Sequence, residues 1–110
     1  MSQARQIADG FSELDGMDRN SPYAQAMRVA KIVEEAGEVA QAVIAFHNAN
    51  PLKPGGSIED VVKELADIAI TAKVSIENFG FDAETVVSDR EFVVLGRVRR
   101  ALESRAGEQR

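Results

Sequence analysis

The sequence predicts an all-α fold, a four-helix bundle-like domain whose two central helices carry the acidic motifs, and three observations predict it. Apolar residues recur at spacings of three and four along four separate stretches, the spacing that lines one face of a helix with about 3.6 residues per turn. Between those stretches stand Ser, Asp, Pro and Gly at the positions that start and stop helices. No stretch shows a convincing strand pattern of alternating apolar and polar residues.

The first helix is expected from roughly Gln3 to Leu14, with Ile7, Phe11 and Leu14 on one face, and the polar run Asp15 to Asn20 ends it. Ser21 then offers an N-cap and Pro22 takes the first helical position, where its missing N–H costs nothing. The long second helix carries Ala26, Val29, Ala30, Val33, Ala40, Val43 and Ile44 and is expected to reach about Asn48. NANPLKPGG holds two of the three prolines and two adjacent glycines, so it is predicted as a loop. Ser57 with Asp60 resembles a capping box opening a third helix through Val61, Leu65, Ile68, Ala72 and Ile76, with Gly80 as its stop. Asp82 caps a fourth helix bearing Val86, Val87, Val93, Val94 and Val98, although the β-branched run between Phe92 and Leu95 counts against helix there. The organisation expected is one domain over 1–110, with residues 1–20 as N-terminal helix and loop and 103–110 as a flexible tail.

A chain of 110 residues with 45% hydrophobic and 28% charged residues suits one globular core. With only 5% aromatic residues, that core must be aliphatic and rich in alanine. The absence of Cys removes a disulfide scaffold and is compatible with a reducing cytoplasm. No apolar run approaches the ~20 residues of a membrane span, and MSQARQIADGF lacks the apolar stretch of a signal peptide, so a cytoplasmic protein without membrane partners is expected. A net charge of −5 argues against a nucleic-acid binder, which would normally present a basic surface.

Five acids stand in two otherwise apolar stretches: Glu34, Glu35 and Glu38 in KIVEEAGEVAQAVIAF, and Glu64 and Asp67 in DVVKELADIAITAKV. Residues three apart share a helix face, so Glu35 pairs with Glu38 and Glu64 with Asp67. Like charges at that spacing repel, and carboxylates drawn into a helix interface lose hydration, so the arrangement calls for a cation or mixed protonation. An oxygen-only set suits a hard ion, Mg²⁺ with Mn²⁺ as a possible substitute. One His and no Cys leave little for zinc, and neither helix carries the Glu-x-x-His pair of the helical di-iron proteins. The plain alternative is that all five acids lie on solvated faces. Taken as a site, the two matched pairs Glu35, Glu38, Glu64 and Asp67 are the metal ligands. Glu34 is left to orient a nucleophilic water or to support the ligands, which makes Glu34, Glu35 and Glu38 the catalytic acids.

KIVEEAGEVAQAV followed by KELADIAITA resembles the MazG-like branch of the all-α nucleoside triphosphate pyrophosphohydrolases, whose motif is EExxE, a variable gap, then ExxD. The similarity covers Ser21 to about Gly80. It implies a Mg²⁺-dependent enzyme that cleaves a (d)NTP between its α and β phosphates to (d)NMP and pyrophosphate in nucleotide-pool house-cleaning, working as a homodimer or homotetramer. Phosphoribosyl-ATP pyrophosphohydrolase, with a similar EExxE helix, is the alternative within the superfamily; the NANPLKPGG loop and the EAGEV context favour the MazG-like branch. From another class comes a non-catalytic helical module that binds metal or nucleotide or mediates assembly. Relatives carry Lys, Asn or Arg on the last helix for phosphate, whereas REFVVLGRVRR has no Asn, leaving Arg97 and Arg100 as the expected phosphate contacts. Relatives also use an aromatic or His on the first helix for the base, for which Phe11 stands in.

Lys31 lies one turn before Glu34 and Glu35, where it would reach a phosphate or pair with Glu35. Gly37 inside a helix suggests close packing or room for a ligand, or is simply tolerated. Phe11, Tyr23, Phe46 and His47 are weighed as a base-stacking wall against core packing, and His47 as a helix-end dipole partner. Val39, Val43, Ile70 and Val74 form faces that one small chain is not expected to bury.

Overall fold

The computed structural model describes residues 2–47 and 56–108. Four helices follow in order, α1 Gln3–Asp15, α2 Pro22–Phe46, α3 Ile58–Asn78 and α4 Ala83–Glu108, with no strand among the described residues.

Side-chain caps explain the boundaries. Ser2, Ser21 and Ser57 each accept a hydrogen bond from the backbone N–H three residues on, at Arg5, Ala24 and Asp60. Each such cap satisfies one of the orphan donors of a helix start and is worth roughly 0.5–2 kcal/mol. Asp82 accepts from both the N–H and the hydroxyl of Thr85, at 3.0 and 2.7 Å. The buried Glu77 carboxylate takes the Ala83 N–H at 2.6 Å, so the end of α3 caps the start of α4. Gly16 and Gly80 turn the chain at φ 63° and 88°, a region open to glycine without strain.

The expected loop lies outside the described residues except for Gly56. A Cβ there would meet the Phe46 backbone N at 2.8 Å and Ala45 Cβ at 3.0 Å, so glycine lets the chain pass directly over the end of α2. α4 runs without a break through Phe92 to Leu95, because β-branched side chains lower helix propensity by only roughly a few tenths of a kcal/mol each. It also continues to Glu108, with every described side chain from Arg97 onward exposed.

α3 is the hub. α1, α2 and α4 all pack on it, while the backbones of α1 and α2 do not approach each other. Ala4, Ala8, Val74 and Ala83 form the fully buried core, and small side chains let these helices come close. Val74, expected on an unpartnered face, is instead 1% exposed near the C-terminal end of α3, whereas Val43 and Ile70 remain open to solvent. The last turn of α3 is tied down from outside: Arg19 donates to the Glu77 carbonyl and Gln25 Nε2 to the Asn78 carbonyl at 3.2 Å. These bonds satisfy C-terminal carbonyls that a helix cannot satisfy itself.

Candidate active site

The α2–α3 contact brings the acidic motifs together. One carboxylate oxygen from each of Glu35, Glu64 and Asp67 lies within 4.8 Å of the others. Glu35 is only 9% exposed, and Glu64 Oε2 is buried without a hydrogen-bond partner. Loss of hydration, then the Glu38 charge, holds the Glu35 carboxyl above its ordinary value, against the opposing pull of Lys31. Glu64 is raised as well, first by burial and then by its hydrogen bond with Glu38. Glu38 itself is exposed and stands beside the trio, acting on both Glu35 and Glu64.

Glu34 lies outside this trio, 59% exposed at its side chain and held by Lys31 Nζ at 3.0 Å. Lys31 also lies 4.0 Å from Glu35, so the salt bridge weighed from the sequence is formed, with Glu34 as the nearer partner. A Cβ on Gly37 would meet nothing within 4 Å, which removes the close-packing reading and leaves open space beside the acids. Arg97 and Arg100 are exposed on α4 and make no hydrogen bond or ion pair among the described residues.

The aromatic residues separate into two groups. Phe46 and His47 pack edge to face, with ring centroids 5.0 Å apart, at the C-terminal end of α2. Phe11 and Tyr23 line a cleft of about 420 Å³ between α1 and α2, into which Lys31 also projects. The Arg28 guanidinium covers the Phe11 ring at 4.2 Å from its centroid and reaches Asp15 at 3.6 Å. Arg28 and the buried Asn78, which also lines the cleft, are residues that sequence reasoning misses. A signal for Arg28 exists, a cation three residues before Lys31 on one face, but an Asn at a helix end reads as a cap.

The donor set fits a divalent cation. Bonds of about 2.0–2.1 Å to an octahedral ion put neighbouring oxygens roughly 3–4 Å apart, so oxygens already within 4.8 Å need little movement. The unpartnered Glu64 Oε2 is the atom such an ion would satisfy.

Carboxylates aimed at one point from two neighbouring helices make a helical cation site, an arrangement that other metal-binding bundles also use. The sequence profile of phosphoribosyl-ATP pyrophosphohydrolase matches residues 13–89. The chain therefore belongs to the phosphoribosyl-ATP pyrophosphohydrolase family, the alternative that the sequence placed behind the MazG-like branch. No curated protein matches the chain. No solved structure matches it either.

Proposed function

We propose that this protein is a Mg²⁺-dependent pyrophosphohydrolase that cleaves phosphoribosyl-ATP between its α and β phosphates, releasing pyrophosphate. The observation that carries this reading is the convergence of Glu35, Glu64 and Asp67, with one Glu64 oxygen buried and unpartnered, in a chain whose family is named for that reaction. Glu35, Glu64 and Asp67 hold the cation and Glu38 completes the set. Bound there, Mg²⁺ or Mn²⁺ supplies neutralisation of phosphate charge and a lowered pKa for water. Glu34 orients the attacking water in line with the α-phosphorus and takes its proton as the bond to the β-phosphate oxygen breaks. Lys31, poised between Glu34 and Glu35, swings to the entering phosphates. Arg97 and Arg100 are free to contact phosphate from a second copy of the chain.

A homodimer or homotetramer accounts for the apolar side chains that one copy leaves in water, Phe92 at 79% and Val33 at 73% among them. No helix among the described residues is long and apolar enough to cross a membrane. A nucleotide substrate and a chain without Cys suit the cytoplasm.

Hydrolysis of (d)NTPs is the second reading, favoured by the EAGEV context of the first motif. Incubation with Mg²⁺ and, in parallel, phosphoribosyl-ATP, ATP and the four dNTPs, with pyrophosphate detection, decides between them. Phosphoribosyl-ATP is expected to lead in kcat/KM by about tenfold or more, a typical specificity margin. A dNTP leading instead moves the assignment to the second reading, and no pyrophosphate from any substrate leaves the non-catalytic module.

A further inference from the structure

Glu77 and Asn78 end α3, and both are buried, at 3% and 4% exposure. Asn78 leaves its Oδ1 without a hydrogen-bond partner, whereas Glu77 is engaged at both ends. Its carbonyl accepts from Arg19, which Asp9 on α1 holds at 2.9 Å, and from the Gly80 N–H at 2.9 Å. Its carboxylate crosses the turn to take the N–H of Ala83, the first residue of α4. A negative charge at a helix N-terminus is favoured by the helix dipole, and this one also satisfies a donor that the helix cannot satisfy itself. One residue thereby fixes the start of α4 to α1 and α3 together.

Little else holds that helix. Ala83 is fully buried. Lys73 reaches Glu84 at 3.2 Å on an exposed surface, where such a pair contributes little. The cap between Asp82 and Thr85 joins neighbours in the sequence rather than α4 to the body. From Ser88 to Glu108 every side chain is exposed, and the backbone of α4 does not approach α2. α4 is therefore a cantilever, anchored at its first turns.

Length converts angle into displacement. At the α-helical rise, Arg97 and Arg100 lie roughly 21 and 26 Å along the axis from Ala83, so a tilt of about 10° at the anchor moves them by roughly 4 Å. A guanidinium that holds phosphate oxygens works within a window of about half an ångström. Small changes at the anchor thus decide whether either arginine reaches its target.

We propose that Glu77 is a positioning residue, whose carboxylate sets the angle at which α4 leaves the body and so the place where Arg97 and Arg100 meet the phosphates of the substrate. The role of the two arginines rests on the pyrophosphohydrolase reading. The angle does not.

Because the chain has no Cys, Glu13→Cys on α1 and Ser104→Cys on α4, both at exposed positions, carry spin labels without background. The distance between the labels within one chain is read by pulsed electron spin resonance, in protein diluted with an excess of unlabelled copies. Glu77→Leu keeps bulk and loses the acceptor. It should shift or broaden the distance distribution by several ångströms, raise KM by about tenfold or more, and leave kcat within about twofold. Glu77→Gln retains an acceptor oxygen and should restore both distance and KM. Asp82→Ala removes the exposed cap and leaves Glu77 in place, so the parental distribution should persist. A parental distribution in folded Glu77→Leu, a displaced α4 with unchanged KM, or a KM raised equally in Glu77→Gln would overturn the proposal. Should Glu77→Leu not fold, a parental distribution in Asp82→Ala supports the assignment and a broadened one overturns it. If no substrate yields pyrophosphate, the hydrolase reading falls, and the distances alone decide whether Glu77 sets the angle.

Discussion

Glu35 and Glu64 are raised above the ordinary glutamate value of 4.5 by burial and by the neighbouring Glu38, so the folded state favours their protonated forms. Their contribution to stability is therefore complete below about pH 4.5 and is lost as pH rises through the raised folded values. Chelator-treated protein should show a Tm that declines across that window. Glu64→Gln should flatten the decline, raise Tm at neutral pH and abolish pyrophosphate release. A Glu64→Gln protein less stable than the parent at neutral pH would mark the acids as structural. Asp82 works in the opposite direction: the Thr85 hydroxyl, then the Thr85 N–H, holds it below 3.8. The stability it adds is present above that value and disappears as pH falls through the lowered folded pKa. The acid limb of a Tm profile should therefore shrink in Asp82→Ala and remain in Glu64→Gln.

At the scale of the helix, Gly37 and Gly80 are predicted to respond in opposite ways to alanine. Nothing lies within 4 Å of a Cβ on Gly37, so Gly37→Ala should stabilise by about 0.5–1 kcal/mol in urea unfolding, the helix-propensity difference. Destabilisation would instead reveal a second copy packed closely on that turn. Gly80→Ala should destabilise by about 1 kcal/mol or more, because φ 88° is unfavourable for any side chain. On α4, Arg97→Lys and Arg100→Lys keep the charge and lose the fork, so each should lower kcat/KM by about tenfold if the helix meets phosphate. Unchanged kinetics would leave both as solvated residues. Ser21, Pro22, Ser57, Gly80 and Asp82 are legible in the sequence because capping is chemistry among residues two to four apart. The i,i+3 spacings of Glu35 with Glu38 and of Glu64 with Asp67 are legible for the same local reason, whereas the meeting of the two pairs depends on α2 packing against α3. The burial of Val74 and the orphaned Oδ1 of Asn78 are not, because both depend on which helices α3 meets, and helix periodicity is silent on that.

Across the whole molecule, the apolar surface left open by one chain predicts association. Light scattering at micromolar concentration should report a dimer or tetramer, and Tm should rise with protein concentration. Phe92→Glu changes a side chain that is 79% exposed in one copy, so it should leave a monomer's stability nearly unchanged and shift the population toward monomer. A persistent oligomer in that variant would place the interface elsewhere. The central position of α3 has a further result in the order of synthesis. A ribosome delivers α1 and α2 first, and these two helices have no backbone packing on each other, so the emerging segment must wait, apolar faces uncovered, for the helix that both require. Folding in the cell is thereby postponed until α3 clears the exit tunnel, and a stalled or truncated product ending before it is a natural client for chaperones and proteases.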